Sequence, residues 1–507
     1  MPEPTKPTSP RLRRGRCRLC GLCLGSALLA IVVSALVHLL SSPTHPAPSP
    51  RFSVIIDGGS TGTRAHVFFA GPDGRPDLAR SAVMRVSPGL SSFAADTARA
   101  GESLRPLLEF AREKVGGEGG AAATEVRLMA TAGLRLLEER VQEAILASCR
   151  DVLRASGFRF EDSWAKVIPA TFIIGSDEGV YAWVAANYAL GTLGGDPHKT
   201  IGIIELGGAS AQLTFVSDEV LPPELSTNFT FGETAYTLYT NSFLNFGQNA
   251  AQDLFHGIVR SRGSSKNGTL VDPCAPKGYS HKRKVTRKTS AASRSNLENQ
   301  YVANGSGNFK ECRSSSLMMM QEGKEKCQYQ QCHLGSTFVP ELRGHFLATE
   351  NFYFTSKFFG LEQSSSLSDF ALAGEQLCNK DLSTLRQEYL NHSDEDFSRY
   401  CFSSAYIVAL LHDGLGVPLD DKRIDYSNQV GDTQVEWALG AFITNTKSTI
   451  LGPSGAGARR VHSHRPLLAV LGAFFACGVF LVLRWRKPKT KIIYDLEKGR
   501  YIITRIS

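Results

Sequence analysis

VIIDGGSTGTRAHVFF, residues 54–69, and GIIELGGASAQLTF, residues 202–215, carry one plan twice: an apolar run, a carboxylate, paired glycines, small hydroxyl residues and a second run. An internal repeat of this kind points to a duplicated supersecondary unit. Around the first copy, SVIID and AHVFFA have the short apolar pattern of buried strands, EVRLMATAG is expected as a strand followed by a loop, and LRLLEERVQEAILASCRDVLRA as one long amphipathic helix. IGIIE and QLTFV repeat the two strands around the second copy. Helices alternating with buried strands predict an α/β architecture. Residues 261–310 break the pattern and are expected as a loop-rich insertion, its basic run HKRKVTRK (281–288) a solvated face.

The repeated turns suggest chemistry. Gly58, Gly59 and Gly62 in the first, and Gly207 and Gly208 in the second, permit backbone conformations in which successive N–H groups point into one concavity, a nest for phosphate oxygens. Ser60, Thr61, Thr63 and Ser210 add hydroxyl donors, while Asp57 and Glu205 end the two strands with carboxylates. Two facing acids predict a hard divalent cation, Ca²⁺ or Mg²⁺, held through oxygen and water. A polyphosphate clamp serves phosphoryl transfer, a nucleotide-driven switch or hydrolysis. Hydrolysis needs a base, and Glu178 and its neighbour Asp177 are both candidates at what reads as the first turn of a helix, where the macrodipole favours an anion.

The 507 residues, 42% hydrophobic and 21% charged, exclude a wholly disordered chain and suffice for more than one domain. Of the net charge of +8, residues 1–40 carry six Lys/Arg against one Glu, and residues 451–507 carry eleven against two acids. The span between them is mildly acidic, so no nucleic-acid partner is expected. The positive charge instead flanks two apolar runs, residues 20–40 and 466–483, each long enough to cross a bilayer. Arg11–Arg18 before the first and Arg484–Lys491 after the second place both ends in the cytosol by the positive-inside rule. The expected order is a basic cytosolic tail (1–19), a transmembrane helix (20–40), a Pro-rich linker (41–50), a lumenal or extracellular body, a second transmembrane helix (466–483) and a cytosolic tail (484–507). Four glycosylation sequons, at Asn228, Asn267, Asn304 and Asn391, all lie between the spans. Of the seven cysteines in the body, Cys149 sits in an apolar-periodic stretch and is expected buried and free; the other six allow three bridges, with Cys327 and Cys332 close enough for a local loop.

DGGSTGTR (57–64), ATAGLRLL (130–137), GSDEGVYAWVAANYALG (175–191) and ELGGASAQ (205–212) resemble, in order, the first four conserved regions of the apyrases, the nucleoside triphosphate diphosphohydrolases. YTLYTNSFLNFGQNAA (236–251), DPCAPKGY (272–279) and VEWALGAFI (435–443) extend the likeness over residues 51–450, with the plant membrane apyrases the most similar. The resemblance implies a two-lobed, actin-like (ribonuclease-H-like) duplication with the nucleotide in the cleft between lobes. Lobe I would span residues 51–172 with a return segment at 425–450, and lobe II residues 173–424. It implies Glu178 as the catalytic base, Ser210 and Gln212 orienting the attacking water, and Thr131 near the terminal phosphate. Gly59–Thr63 and Gly207, Gly208, Ala209 and Ser210 would be the phosphate loops, and Asp57 and Glu205 would hold the metal through water. Trp437 matches a tryptophan of the fifth region, and Phe352, Tyr353 and Phe354 are candidates for base stacking. Glu205 departs from the family's aspartate by one methylene. The implied activity is hydrolysis of nucleoside tri- and diphosphates to the monophosphate; the competing classes are an actin-like small-molecule kinase and a nucleotide receptor without turnover.

Overall fold

The computed structural model describes residues 51–71, 75–168, 178–262, 269–284, 300–329, 332–450, 490–495 and 499–505. The expected cytosolic tail 1–19, both transmembrane spans and the Pro-rich linker lie outside them. No helix among the described residues is long and apolar enough to cross a membrane. Within the expected C-terminal tail, Thr490–Asp495 and Arg500–Arg505 pair as an antiparallel hairpin.

The body, residues 49–449, is built on two sheets. In the first, β1 (Arg51–Gly58) pairs antiparallel with β2 (Thr63–Ala70), and β2 with β3 (Ala82–Val86). On the other side of β1, β4 (Glu125–Ala130) and β5 (Ala165–Val167) follow in parallel. In the second sheet, β6 (Gly202–Leu206) pairs antiparallel with β7 (Ser210–Val216). β8 (Ser226–Phe231) and β9 (Thr234–Leu244) form the next hairpin, with β9 against β7. Between β9 and the parallel strands of this sheet the chain forms a separate three-stranded sheet, β10 (Thr269–Asp272), β11 (Ser280–Lys284) and β12 (Gln300–Gly305). Then β13 (Phe346–Glu350) and β14 (Ile424–Tyr426) run parallel to β6. Strands β9, β7, β6, β13 and β14 therefore repeat β3, β2, β1, β4 and β5 one for one, with β8 added at the edge. The expected boundary at residue 424/425 falls inside β14, and the expected loop-rich insertion contains the β10–β12 sheet.

Period-2 alternation gives each sheet two apolar faces. Val54, Ile56, Val67 and Leu128 point to one side, against the helices Arg105–Lys114 and Glu139–Arg154. Ile55, Phe68 and Met129 point to the other, into a cluster shared with Ile203, Leu238 and Leu347 of the second sheet. Between the sheets lie two helices, Glu178–Ala189 and Trp437–Ile450. The first is buried along Gly179–Asn187, as a helix covered on both faces must be. Ile204, Leu206, Leu213 and Phe346 face the outer side of the second sheet, packed with helices including Phe309–Met320, Asn351–Phe359, Leu367–Asn379 and Asp394–Val408.

Three disulfides brace this outer layer: Cys274–Cys312, Cys327–Cys332 and Cys378–Cys401. Cys149 is free and buried, and burial pushes its thiol up to about 12. The two middle helices cross at Gly440, where a Cβ would lie 1.8 Å from the Tyr181 carbonyl oxygen. Ala there gains helix propensity but collides with the Tyr181 backbone of the neighbouring helix. Gly440→Ala is therefore expected to lower stability by about 1–3 kcal/mol, read as a lower urea midpoint with unchanged slope.

Candidate active site

The ends of β1 and β6 open into one cleft. Asp57, Gly59, Ser60 and Thr61 from the first turn line it with Glu205, Gly207 and Gly208 from the second, joined by Thr131, Glu178, Gln212 and Trp437. Including its mouth, the space is about 660 Å³. The turns face each other closely: a Cβ on Gly208 would stand 2.6 Å from Ser60 Oγ and 3.0 Å from Thr61 Cγ2. Gly58, Gly62, Thr63, Ala209 and Ser210 stand outside this lining, Ser210 buried just behind it. Thr63 is fully buried on β2, and a side chain on Gly62 would collide with Arg85.

Hydrogen bonds hold each turn. The Thr131 N–H donates to the Gly58 carbonyl at 3.2 Å, and Arg85 donates to Thr61 Oγ1 at 3.2 Å. In the second turn, the Gly207 carbonyl accepts from Gln248 N–H at 2.8 Å, and that of Gly208 accepts from Asn249 and Ala250 at 3.0 Å. These oxygens are turned to the Gln248–Arg262 helix, as a phosphate-binding turn requires, because carbonyls facing the cleft would repel the anion.

Glu178 is the first residue of its helix, with its side chain 13% exposed. Its Oε2 accepts from Arg135 Nη2 at 3.3 Å and from Gln212 Nε2 at 3.4 Å. Ser210 Oγ accepts from the same two groups, with the Arg135 contact at 3.5 Å. Gln212 also reaches Ser242 Oγ at 3.3 Å. Glu178, Ser210, Gln212 and Arg135 thus form one hydrogen-bonded set. Asp177 lies outside the described residues.

Arg135 is the residue the sequence reading passed over. The long helix expected from Leu134 is broken: a four-residue helical turn, Ala132–Arg135, precedes the Glu139–Arg154 helix. The break turns Arg135 inward, with its side chain 8% exposed. Arg64, His66, Glu350 and Glu436 also line the cleft and were not anticipated. A signal for two of them existed, since Arg64 and His66 alternate with apolar Ala65 and Val67 on β2 and so share a face.

Arg64 Nη1 donates to Asp57 Oδ2 at 3.1 Å, while the buried Asp57 Oδ1 has no hydrogen-bond partner among the described residues. Burial pushes the Asp57 carboxyl above the ordinary carboxylate range, opposed by Arg64 and His66. Burial likewise raises Glu350, opposed by Arg64 and reinforced by Glu436 and Asp57. At Glu436 burial works upward, but the hydrogen bond from His66 Nδ1, at 3.0 Å, and the charges of His66 and Arg64 outweigh it and hold the group low. Glu350 has φ +59°, a conformation unusual for a residue with a side chain, and its N–H donates to Asn428 Oδ1 at 2.7 Å. Trp437 serves core and cleft together, 7% exposed with its ring stacked on Tyr181 at 6.5 Å. Phe352 is fully buried, Phe354 is exposed, and neither they nor Tyr353 line this cleft.

A duplicated α/β core with paired glycine turns facing each other across a cleft defines an actin-like fold. A solved structure of nucleoside triphosphate hydrolases from Neospora caninum shares the fold, with TM-score 0.59 and 17% identity over 80% of this chain and 95% of that one. Residues 45–464 match the GDA1/CD39 (nucleoside phosphatase) family. The chain is 49% identical to probable apyrase 6 of Arabidopsis thaliana, over 98% of this chain and 92% of that protein. It is 29% identical to ectonucleoside triphosphate diphosphohydrolase 1 of Rattus norvegicus, over 83% and 86%. The chain belongs to the GDA1/CD39 (nucleoside phosphatase) family and is an apyrase, a hydrolase of nucleoside tri- and diphosphates. Because the turns meet where Gly208 lacks a side chain, Gly208→Val is expected to fill the gap and lower kcat/KM at least tenfold, about 1.4 kcal/mol, with the urea midpoint little changed.

Proposed function

We propose that the enzyme hydrolyses the terminal phosphate of nucleoside tri- and diphosphates with Glu178 as general base. The phosphate tail would lie between a lobe of residues 51–172 plus the return segment 425–450 and a lobe of residues 173–424. Water oxygen attacks the terminal phosphorus in line with the bridging oxygen, its proton passes to Glu178, and the phosphorus–oxygen bond to the shorter nucleotide breaks. The observation that carries this reading is the Glu178–Arg135–Gln212–Ser210 set beside the paired glycine turns. Ser210 Oγ already accepts two hydrogen bonds, so its one proton is left to donate to the water or to a phosphate oxygen. Arg135 and Gln212 both donate to Glu178 Oε2 and so fix the angle of its carboxylate. Amides of Gly59–Thr61 and Gly208 would stabilise the equatorial oxygens, while that of Gly207 closes the turn onto the Ser210 carbonyl at 3.1 Å.

The residues fit a hard divalent cation. Asp57 and Glu205 offer oxygen donors, and Asp57 Oδ1 is buried without a hydrogen-bond partner among the described residues. Five carboxylates line the cleft, Asp57, Glu178, Glu205, Glu350 and Glu436, and such a wall repels a free polyanion. When bound, Ca²⁺ or Mg²⁺ would supply charge neutralisation of the phosphate tail. Removing the cation with a chelator is expected to abolish phosphate release, and either ion to restore it. Cation addition should also raise Tm in the wild type but not in Asp57→Asn. The gain should grow as pH rises through the carboxylate range, because burial raises the Asp57 carboxyl and the ion binds its deprotonated form.

The body is proposed to face the lumen or the exterior between two membrane spans. Three disulfides and the exposed side chains of Asn228, Asn304 and Asn391 support an oxidising, glycosylating compartment. Glu178→Gln keeps the shape and removes the proton acceptor. It is expected to lower kcat by about 100-fold or more while a non-hydrolysable nucleotide still binds; unchanged phosphate release would remove Glu178 from this role.

A further inference from the structure

Away from the cleft, the β10–β12 insertion gathers ligands of another kind. His256 of the Gln248–Arg262 helix, Asp272 at the end of β10 and His281 of β11 each bring one ligand atom within 4.8 Å of the others. His256 and Asp272 are almost wholly buried, 4% and 1% exposed. His256 Nε2 lies 3.2 Å from Asp272 Oδ2. That separation is close to the edge, about 3.3 Å, of a tetrahedron whose metal–nitrogen and metal–oxygen bonds are about 2.0–2.1 Å. The two imidazole rings stand edge to face with centroids 5.2 Å apart.

The carboxylate is fixed from behind. Asp272 Oδ1 accepts from the Cys274 N–H at 2.8 Å, and Cys274 is bonded to Cys312 of the Phe309–Met320 helix. Such outer contacts orient a ligand before the ion arrives. His256 Nδ1 is buried with no hydrogen-bond partner among the described residues. A simple His–Asp hydrogen bond gives no reason for a second imidazole beside the pair. His281 also lines an open cavity of about 810 Å³, with Gln252, Tyr279 and Glu395, which provides an entry path and room for a water ligand.

We propose that His256, Asp272 and His281 form a zinc site that fastens the inserted sheet to the Gln248–Arg262 helix. Its N₂O ligand set suits a borderline-soft ion, whereas the acids of the catalytic cleft suit a hard one, so the two sites select different metals in the same solution. Binding only the folded state, the ion stabilises the insertion.

The test is metal retention by the purified full chain. Stripped with a chelator, then given zinc in excess magnesium and gel-filtered, the wild type is expected to keep about one zinc per chain by elemental analysis, and His281→Ala and Asp272→Asn less than about a fifth. Asp272→Asn retains an oxygen to accept from Cys274 while losing the anionic ligand, which guards against simple unfolding. Cobalt in place of zinc should give the intense visible bands of a tetrahedral centre in the wild type and not in the variants. Magnesium-supported ATP hydrolysis by His281→Ala should match the wild type, marking the site as separate from the cleft. Zinc retention by the variants equal to that of the wild type, or none by the wild type, overturns the proposal and leaves a hydrogen-bonded His–Asp pair.

Discussion

The active cleft depends on close approaches made at glycines, where a side chain would not fit. Gly208 meets Ser60 and Thr61 across the mouth; behind the first turn, a Cβ on Gly89 would lie 2.3 Å from the Gly59 carbonyl oxygen. On the other side, a Cβ on Gly247 would lie 2.3 Å from the Ser210 nitrogen. Walls made this way present N–H groups at fixed positions, with little side-chain entropy to lose when a phosphate binds. Duplication makes the arrangement two-sided. Asp57 and Glu205 occupy equivalent places in their sheets, each opposite a polar residue of the hairpin partner, Arg64 and Gln212.

Those two partners divide the labour between the halves. Arg64 sits on Asp57, so the first half holds a cation beside its carboxylate. In the second half the neutral amide of Gln212 lies opposite Glu205 and reaches Glu178, while the charge comes from Arg135. One carboxylate, Glu178, is thereby held in a fixed orientation. The others, Asp57 and Glu350 above all, are crowded in low dielectric, where burial raises both. A divalent ion in their midst would relieve that cost, which makes an oxygen-lined pocket both unfavourable when empty and selective when filled.

The repeated run of apolar strand, acid and glycines made β1, β2, β6 and β7 legible, together with the turns they carry. Both hydrophobic faces of these strands are covered, so they show as continuous apolar runs that sequence patterning finds readily. The β10–β12 sheet was not legible. SHKRK and QYVANG lack an alternating apolar face and hold together through pairing and the Cys274–Cys312 bond. Glu350 and Glu436 escaped for another reason: they reach the cleft from the far end of the chain, and no local pattern ties them to Asp57. Arg135 escaped because a periodic stretch was expected to run on as one helix, whereas the chain leaves helical geometry at Leu137–Glu138 and turns the guanidinium inward.

Glu178 is positioned by the core. Tyr181 lies one helical turn after Glu178, and its carbonyl is the backbone that Gly440 packs against. In the same partner helix, Trp437 stacks on Tyr181 and also lines the cleft. The contact that closes the layer between the sheets therefore also sets how far Glu178 projects toward the substrate. Displacement of a reacting group by about 1 Å can cost about 100-fold in rate. A helix buried along Gly179–Asn187, with neighbours on both sheets, is well suited to holding that position.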